Sequence, residues 1–75
     1  MTAKEWLSGF ATELGVAAPS DEEVSDLLRL AAEAARAAER TAAPVACWLA
    51  ARAGLSPAEA LAVLEKWKER DFAQS

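Results

Sequence analysis

The stretch Gly54-Leu55-Ser56-Pro57-Ala58-Glu59-Ala60-Leu61-Ala62-Val63-Leu64-Glu65-Lys66-Trp67 decides the fold class. Ser56 stands where a helix N-cap accepts from the backbone. Pro57 follows at the first helical position, where its missing N–H costs little, and Glu59 is placed to complete a capping box. Leu61, Leu64 and Trp67 then recur at helical spacing, so this segment reads as a helix over 57–70. Gly54, just before it, is placed to stop a preceding helix in the left-handed conformation that glycine adopts without strain.

The same punctuation recurs upstream. Pro44 has no backbone donor and would clash inside a helix, so a break near Arg40–Thr41 with Thr41 as N-cap puts it in a first turn. The third helix is expected over 42–53, with Val45, Trp48, Leu49 and the aliphatic stem of Arg52 facing inward. Ser20 and Glu23 make a second capping box, with Asp21 and Glu22 favoured by the helix dipole. That box opens a helix over 21–40, with Val24, Leu27, Leu28, Ala31, Ala35 and Ala38 on one face. Thr2 and Glu5 open the first helix, 3–14, in which Ala3, Trp6, Leu7, Phe10 and Leu14 share a face and Gly15 is the stop. Trp6 and Trp48 are expected as core anchors.

Composition agrees. Of the 75 residues, 53% are apolar, but half of these are Ala; there is no Ile or Tyr and little Val or Thr. Poverty in β-branched residues beside abundant Ala, Leu, Glu, Lys and Arg favours helix throughout. The expectation is therefore one all-α domain over 1–75, a compact four-helix bundle with short connections and antiparallel neighbours. Its second helix, about 30 Å long at 1.5 Å per residue, would outreach the others. The small residues Ala31 to Ala38 on its far half would suit close approach of the third helix or of a second chain.

Several function classes are excluded or disfavoured by residue type. With no histidine and a single cysteine, the commonest general base and any thiolate metal centre are missing, and three isolated glycines form no phosphate loop. The chain is read as no enzyme, without cofactor or metal. The net charge of −4 sits in residues 1–30, where six acids face two bases; residues 31–75 are balanced. Without a basic excess, nucleic acid is not an expected partner. No apolar run approaches the roughly 20 residues that cross a bilayer, so no membrane association is expected. A lone Cys47 without a secretion signal fits a reducing cytoplasm.

Two clusters remain as candidate interaction or anion sites. Arg36 and Arg40 lie one helical turn apart, and Arg40 and Thr41 precede the N-terminus of the third helix. Two guanidinium groups beside free N–H donors would suit an anion or a partner carboxylate. The plainer alternative pairs Arg36 with Glu33 or Glu39 and has Arg40 brace the turn. Near the C-terminus, Trp67 among Lys66, Lys68, Glu69 and Arg70 would combine with Phe72 into a partner-binding patch, since aromatic and Arg residues dominate interface hot spots.

The segment Arg40-Thr41-Ala42-Ala43-Pro44-Val45-Ala46-Cys47-Trp48-Leu49-Ala50 resembles a small actinobacterial domain family of unknown function. That family is found stand-alone and as a C-terminal extension of molybdenum-cofactor guanylyltransferase-like proteins. Arg40, Ala43, Pro44, Trp48 and Leu49 match its pattern, and the Trp6-Leu7 helix and Glu13-Leu14-Gly15 stop extend the likeness. Ala50 or Ala51 stands where glycine is expected, and Arg36 near where relatives often carry histidine. The resemblance implies an accessory role in molybdenum-cofactor or molybdoenzyme maturation. Three functional expectations stand side by side: an interaction module docking on another protein, an anion or nucleotide binder at Arg36 and Arg40, and a self-associating structural protein with a seam along Ala31 to Ala38.

Overall fold

The computed structural model describes residues 1–72, with side chains through Arg70. Its elements are α1 (Ala3–Leu14), α2 (Asp21–Ala37), α3 (Ala42–Arg52), α4 (Pro57–Trp67) and a π-helical turn, Lys68–Phe72. The chain is all-α, with no strand among the described residues, and its four helices form a bundle of unequal parts.

Local chemistry places the helix starts. All three capping boxes form. Thr2 Oγ1 accepts from the Glu5 N–H at 3.1 Å while Glu5 Oε1 accepts from the Thr2 N–H at 2.9 Å. The reciprocal pairs are 3.0 and 2.8 Å for Ser20 and Glu23, and 3.1 and 2.8 Å for Ser56 and Glu59. Each box satisfies two backbone donors that the helix itself leaves open. Both glycine stops also form. Gly15 has φ 76° and Gly54 φ 77°. In each, the glycine N–H and the next residue's N–H return to carbonyls of the last turn: Gly15 to Thr12 and Val16 to Ala11, Gly54 to Ala51 and Leu55 to Ala50. This is the Schellman arrangement.

Three helix ends differ from the sequence expectation. α2 stops at Ala37 rather than at residue 40, because Ala38 leaves the helical region at φ −128°, ψ −91°. The residues it gives up form the turn into α3, where Ala42 donates to the Glu39 carbonyl at 2.9 Å and Ala43 to that of Arg40 at 3.2 Å. Pro44 requires that turn, since a continuous helix would clash with its ring. α3 stops one residue early, at Arg52, with Ala53 as cap. α4 is α-helical only to Trp67, not to residue 70; the wider winding begins at Lys68, whose ammonium is tied to Glu33 on α2 at 3.2 Å.

The core lies where α2, α3 and α4 meet. Leu30, Ala60 and Leu61 are buried, with Cys47, Ala50, Leu55 and Leu64 packed against them. α3 faces α2 opposite to the way its sequence suggests. Ala42, Ala43, Ala46, Cys47 and Ala50 are half-buried, whereas Val45, Trp48 and Leu49 are exposed. Both stripes have helical spacing, so periodicity does not choose between them. Volume does, since small side chains let the two helices approach closely, and the Cys47 thiol reaches the Leu27 carbonyl at 3.9 Å. Ala31, Ala34 and Ala35 lie half-buried on the packed side of α2, while Ala37 and Ala38 are exposed.

α1 stands apart. None of its Cα atoms comes within 8 Å of α2, α3 or α4. The side-chain pair Lys4–Asp21, 3.2 Å and well exposed, links it to the start of α2. Trp6, Leu7, Phe10 and Leu14, expected to face the core, are open to solvent; only Ala11 is buried in this helix. An amphipathic stripe needs a partner to cover it; here Leu7 faces a cavity shared with Ala18 and Pro19 of the connector and Val24 of α2, while Trp6, Phe10 and Leu14 are left about half open or more. The molecule is correspondingly elongated, 44 × 22 × 18 Å, against about 25 Å for its longest helix.

Candidate functional site

Arg36 sits in the last turn of α2, on the rim of a small cleft lined by Glu33, Ala37, Leu64 and Lys68. Its guanidinium donates to Glu33 Oε1 at 3.0 Å, the pairing that a helical i, i+3 spacing allows. Glu33 accepts from Lys68 through its other oxygen, and Lys68 also lies 3.8 Å from Glu65. The Lys68 hydrogen bond, with smaller contributions from the charges of Lys68 and Arg36, holds the Glu33 carboxyl below its ordinary pKa against the opposing effect of desolvation. The cluster thus joins α2 to the end of α4. Arg36 is turned toward this cluster.

Arg40 and Thr41 are exposed. Thr41 occupies the cap position of α3 in a helical conformation, φ −67°, ψ −18°, and its side chain makes no cap hydrogen bond. Arg36, for its part, is engaged by Glu33, the plainer of the two pairings its sequence position allows. Among the described residues no group of three or more His, Cys, Asp or Glu side chains is arranged to hold a metal ion.

Trp67 ends α4 and is 44% exposed, somewhat less than Trp6 or Trp48. It lines a shallow, almost wholly apolar groove between α3 and α4, together with Leu49, Ala53, Leu55, Val63 and Leu64. Phe72, expected beside it, has its side chain outside the described residues.

Two further apolar features escape sequence reasoning. On α1, the rings of Trp6 and Phe10 lie 5.2 Å apart and tilted by 36°, flanked by Glu5 and Glu13. On α3, the Arg52 guanidinium lies over the exposed Trp48 ring at 5.0 Å, a cation–π geometry. The sequence signal for the first is its i, i+4 aromatic spacing, which fits a core face equally well. For the second it is the doubly apolar character of α3, whose two stripes cannot both be buried against one neighbour.

Among the described residues the surface thus presents two apolar features, a helix face on α1 and a groove on α3 and α4. No described helix is long and apolar enough to cross a membrane. A family model described as "Domain of unknown function (DUF6457)" matches residues 1–71. No curated protein matches the chain, and no solved structure does.

Proposed function

We propose that this chain, which belongs to the DUF6457 family, is a non-catalytic helical module that docks on protein through apolar helix faces left open in the isolated chain. The observation that carries this reading is α1. Trp6, Leu7, Phe10 and Leu14 are 56, 37, 48 and 60% exposed on a helix whose Cα atoms all lie more than 8 Å from those of α2, α3 and α4. Contiguous apolar faces of this kind mark interaction surfaces in soluble proteins, and a helix laid in an apolar groove is a recurring recognition mode. The acidic N-terminal region and the absence of a basic excess speak for a protein partner over nucleic acid or an anionic membrane surface.

The finer reading, an accessory of molybdenum-cofactor or molybdoenzyme maturation, rests on the sequence resemblance of the Arg40–Ala50 segment alone. Both levels are tested by placing a photo-reactive phenylalanine at Phe10 and irradiating the protein in its native host. A protein adduct formed from Phe10, and not from the same group at the polar position Glu22, supports the docking reading. A molybdenum-cofactor nucleotidyltransferase or molybdoenzyme in that adduct supports the finer one. Equal or absent labelling from the two positions overturns the docking reading.

A further inference from the structure

The chain carries both halves of a helix-in-groove contact, and they do not meet within it. One half is the α1 face. The other is the groove between α3 and α4, where Leu49, Val63 and Trp67 are 55, 56 and 44% exposed. We propose that two copies of the chain associate by reciprocal exchange, α1 of each lying across the α3–α4 groove of the other. This rests on the docking reading above and names its partner as a second copy.

Area argues for reciprocity. At roughly 150–250 Å² for a large side chain, the open fractions amount to about 400 Å² on α1 and about 300 Å² in the groove. One such contact, about 700 Å², is no larger than a typical crystal contact; two reach about 1,400 Å², within the range of stable interfaces. Exchange between two identical chains closes on a two-fold axis and leaves neither half unused.

Charge is compatible. The aromatic pair of α1 is flanked by Glu13, and the exposed stripe of α3 carries Arg52 beside Trp48. Residues 1–30 hold the whole net charge of −4 and residues 31–75 are balanced, so the part of the chain that carries the groove sets no net like charge against α1.

Attachment argues against α1 closing onto its own groove. The Gly15 turn and the Lys4–Asp21 pair hold α1 beyond the start of α2. Fold-back would surrender that ion pair and rearrange the connector, whereas a second copy can be engaged by the chain as it stands.

Sedimentation velocity over micromolar to submillimolar concentration should show a species of twice the 7.9 kDa chain mass. Phe10→Asp and Val63→Asp should each convert it to monomer while circular dichroism keeps its helical signal, since both side chains are exposed. In a Cys47→Ala background, a Phe10→Cys copy mixed with a Val63→Cys copy should give a disulfide-linked heterodimer under mild oxidation. A monomer at every concentration, a dimer indifferent to Phe10→Asp, or, in a chain carrying both Phe10→Cys and Val63→Cys, a disulfide closing within that one chain would each overturn the exchange. Photo-crosslinking of α1 to a different protein, with the isolated chain monomeric, would sink this inference and leave the docking reading standing.

Discussion

The junctions α1–α2 and α3–α4 are built from the same parts. Each ends its helix at a glycine with φ near 77°, closes it with the same pair of backbone hydrogen bonds, and opens the next helix with a serine–glutamate capping box. They differ in the residues between glycine and serine. After Gly54 a single residue, Leu55, precedes the Ser56 cap, and it packs against the core of Leu30, Ala60 and Leu61. After Gly15 come Val16, Ala17, Ala18 and Pro19, and Val16 is 60% exposed. Identical stop and start signals thus give a connector packed on the core in one place and an exposed one beside a loosely attached helix in the other. The caps place these helix ends; the connectors differ in whether the residue after the glycine is buried.

The most direct way to break this contrast is at the residue after each glycine. Leu55→Ala should lower unfolding stability by about 2 kcal/mol through lost burial and an imperfectly filled space. Val16→Ala should stay within about 0.5 kcal/mol, as exposed substitutions usually do. Chemical denaturation of the two variants below any association threshold measures both, and equal losses would refute the contrast. The glycines come next. Alanine at either one must take the left-handed conformation, at a cost of about 1–2 kcal/mol. Gly54→Ala should shift the denaturation midpoint of the whole α2–α4 unit, whereas Gly15→Ala should reduce α1 helicity and leave that midpoint in place.

The N-caps give a smaller effect. Ser56→Ala should cost about 1 kcal/mol in the same denaturation assay, while Thr2→Ala should register only as a loss of helical signal from α1. The smallest effect is in pH. Glu5 and Glu59 have pKa values lowered from 4.5, chiefly by backbone hydrogen bonds from Thr2 and Ser56, and then by the hydroxyls of the same residues. A carboxyl whose folded pKa is depressed stabilises above its unfolded value and loses that contribution as pH falls through the folded one. Helical ellipticity should therefore decline as pH drops below about 4.5, and Glu5→Gln and Glu59→Gln should flatten the decline. An unchanged acid limb in the double variant would count against the capping boxes as its source.

Sequence patterns differ in how far they reach. Ser20, Ser56 and Thr2 with their glutamates, and both glycines, act on backbone groups within a few residues, so those helix ends are legible. The end of α2 is not, because Ala37 and Ala38 are equally good helix formers and the stop is imposed by Pro44 six residues on. The facing of α3 is not either. Its alanine–cysteine stripe and its valine–tryptophan–leucine stripe have the same period, and only the close approach of α2 separates them. The Arg36–Glu33 pair lies within one turn, so spacing alone brings it into view. Its third member, Lys68, is 35 residues distant and carries no local signal. The open groove beside Trp67 is legible at that one residue, while Leu49 and Val63, which complete it, sit on separate helices.

The isolation of α1 has a kinetic consequence. Twelve residues form a marginal helix in water when nothing packs against them, whereas the α2–α4 unit opens only by exposing Leu30 and Leu61. Amide protons should therefore exchange at two tempos, fast along Ala3–Leu14 and slow around the shared core. Anything that covers Trp6 and Phe10 must slow the first tempo, and a second copy that covers them with its α3–α4 groove must slow the second as well. The first helix is in this sense a clock for its own occupancy, readable from the protein's amides before any partner has a name.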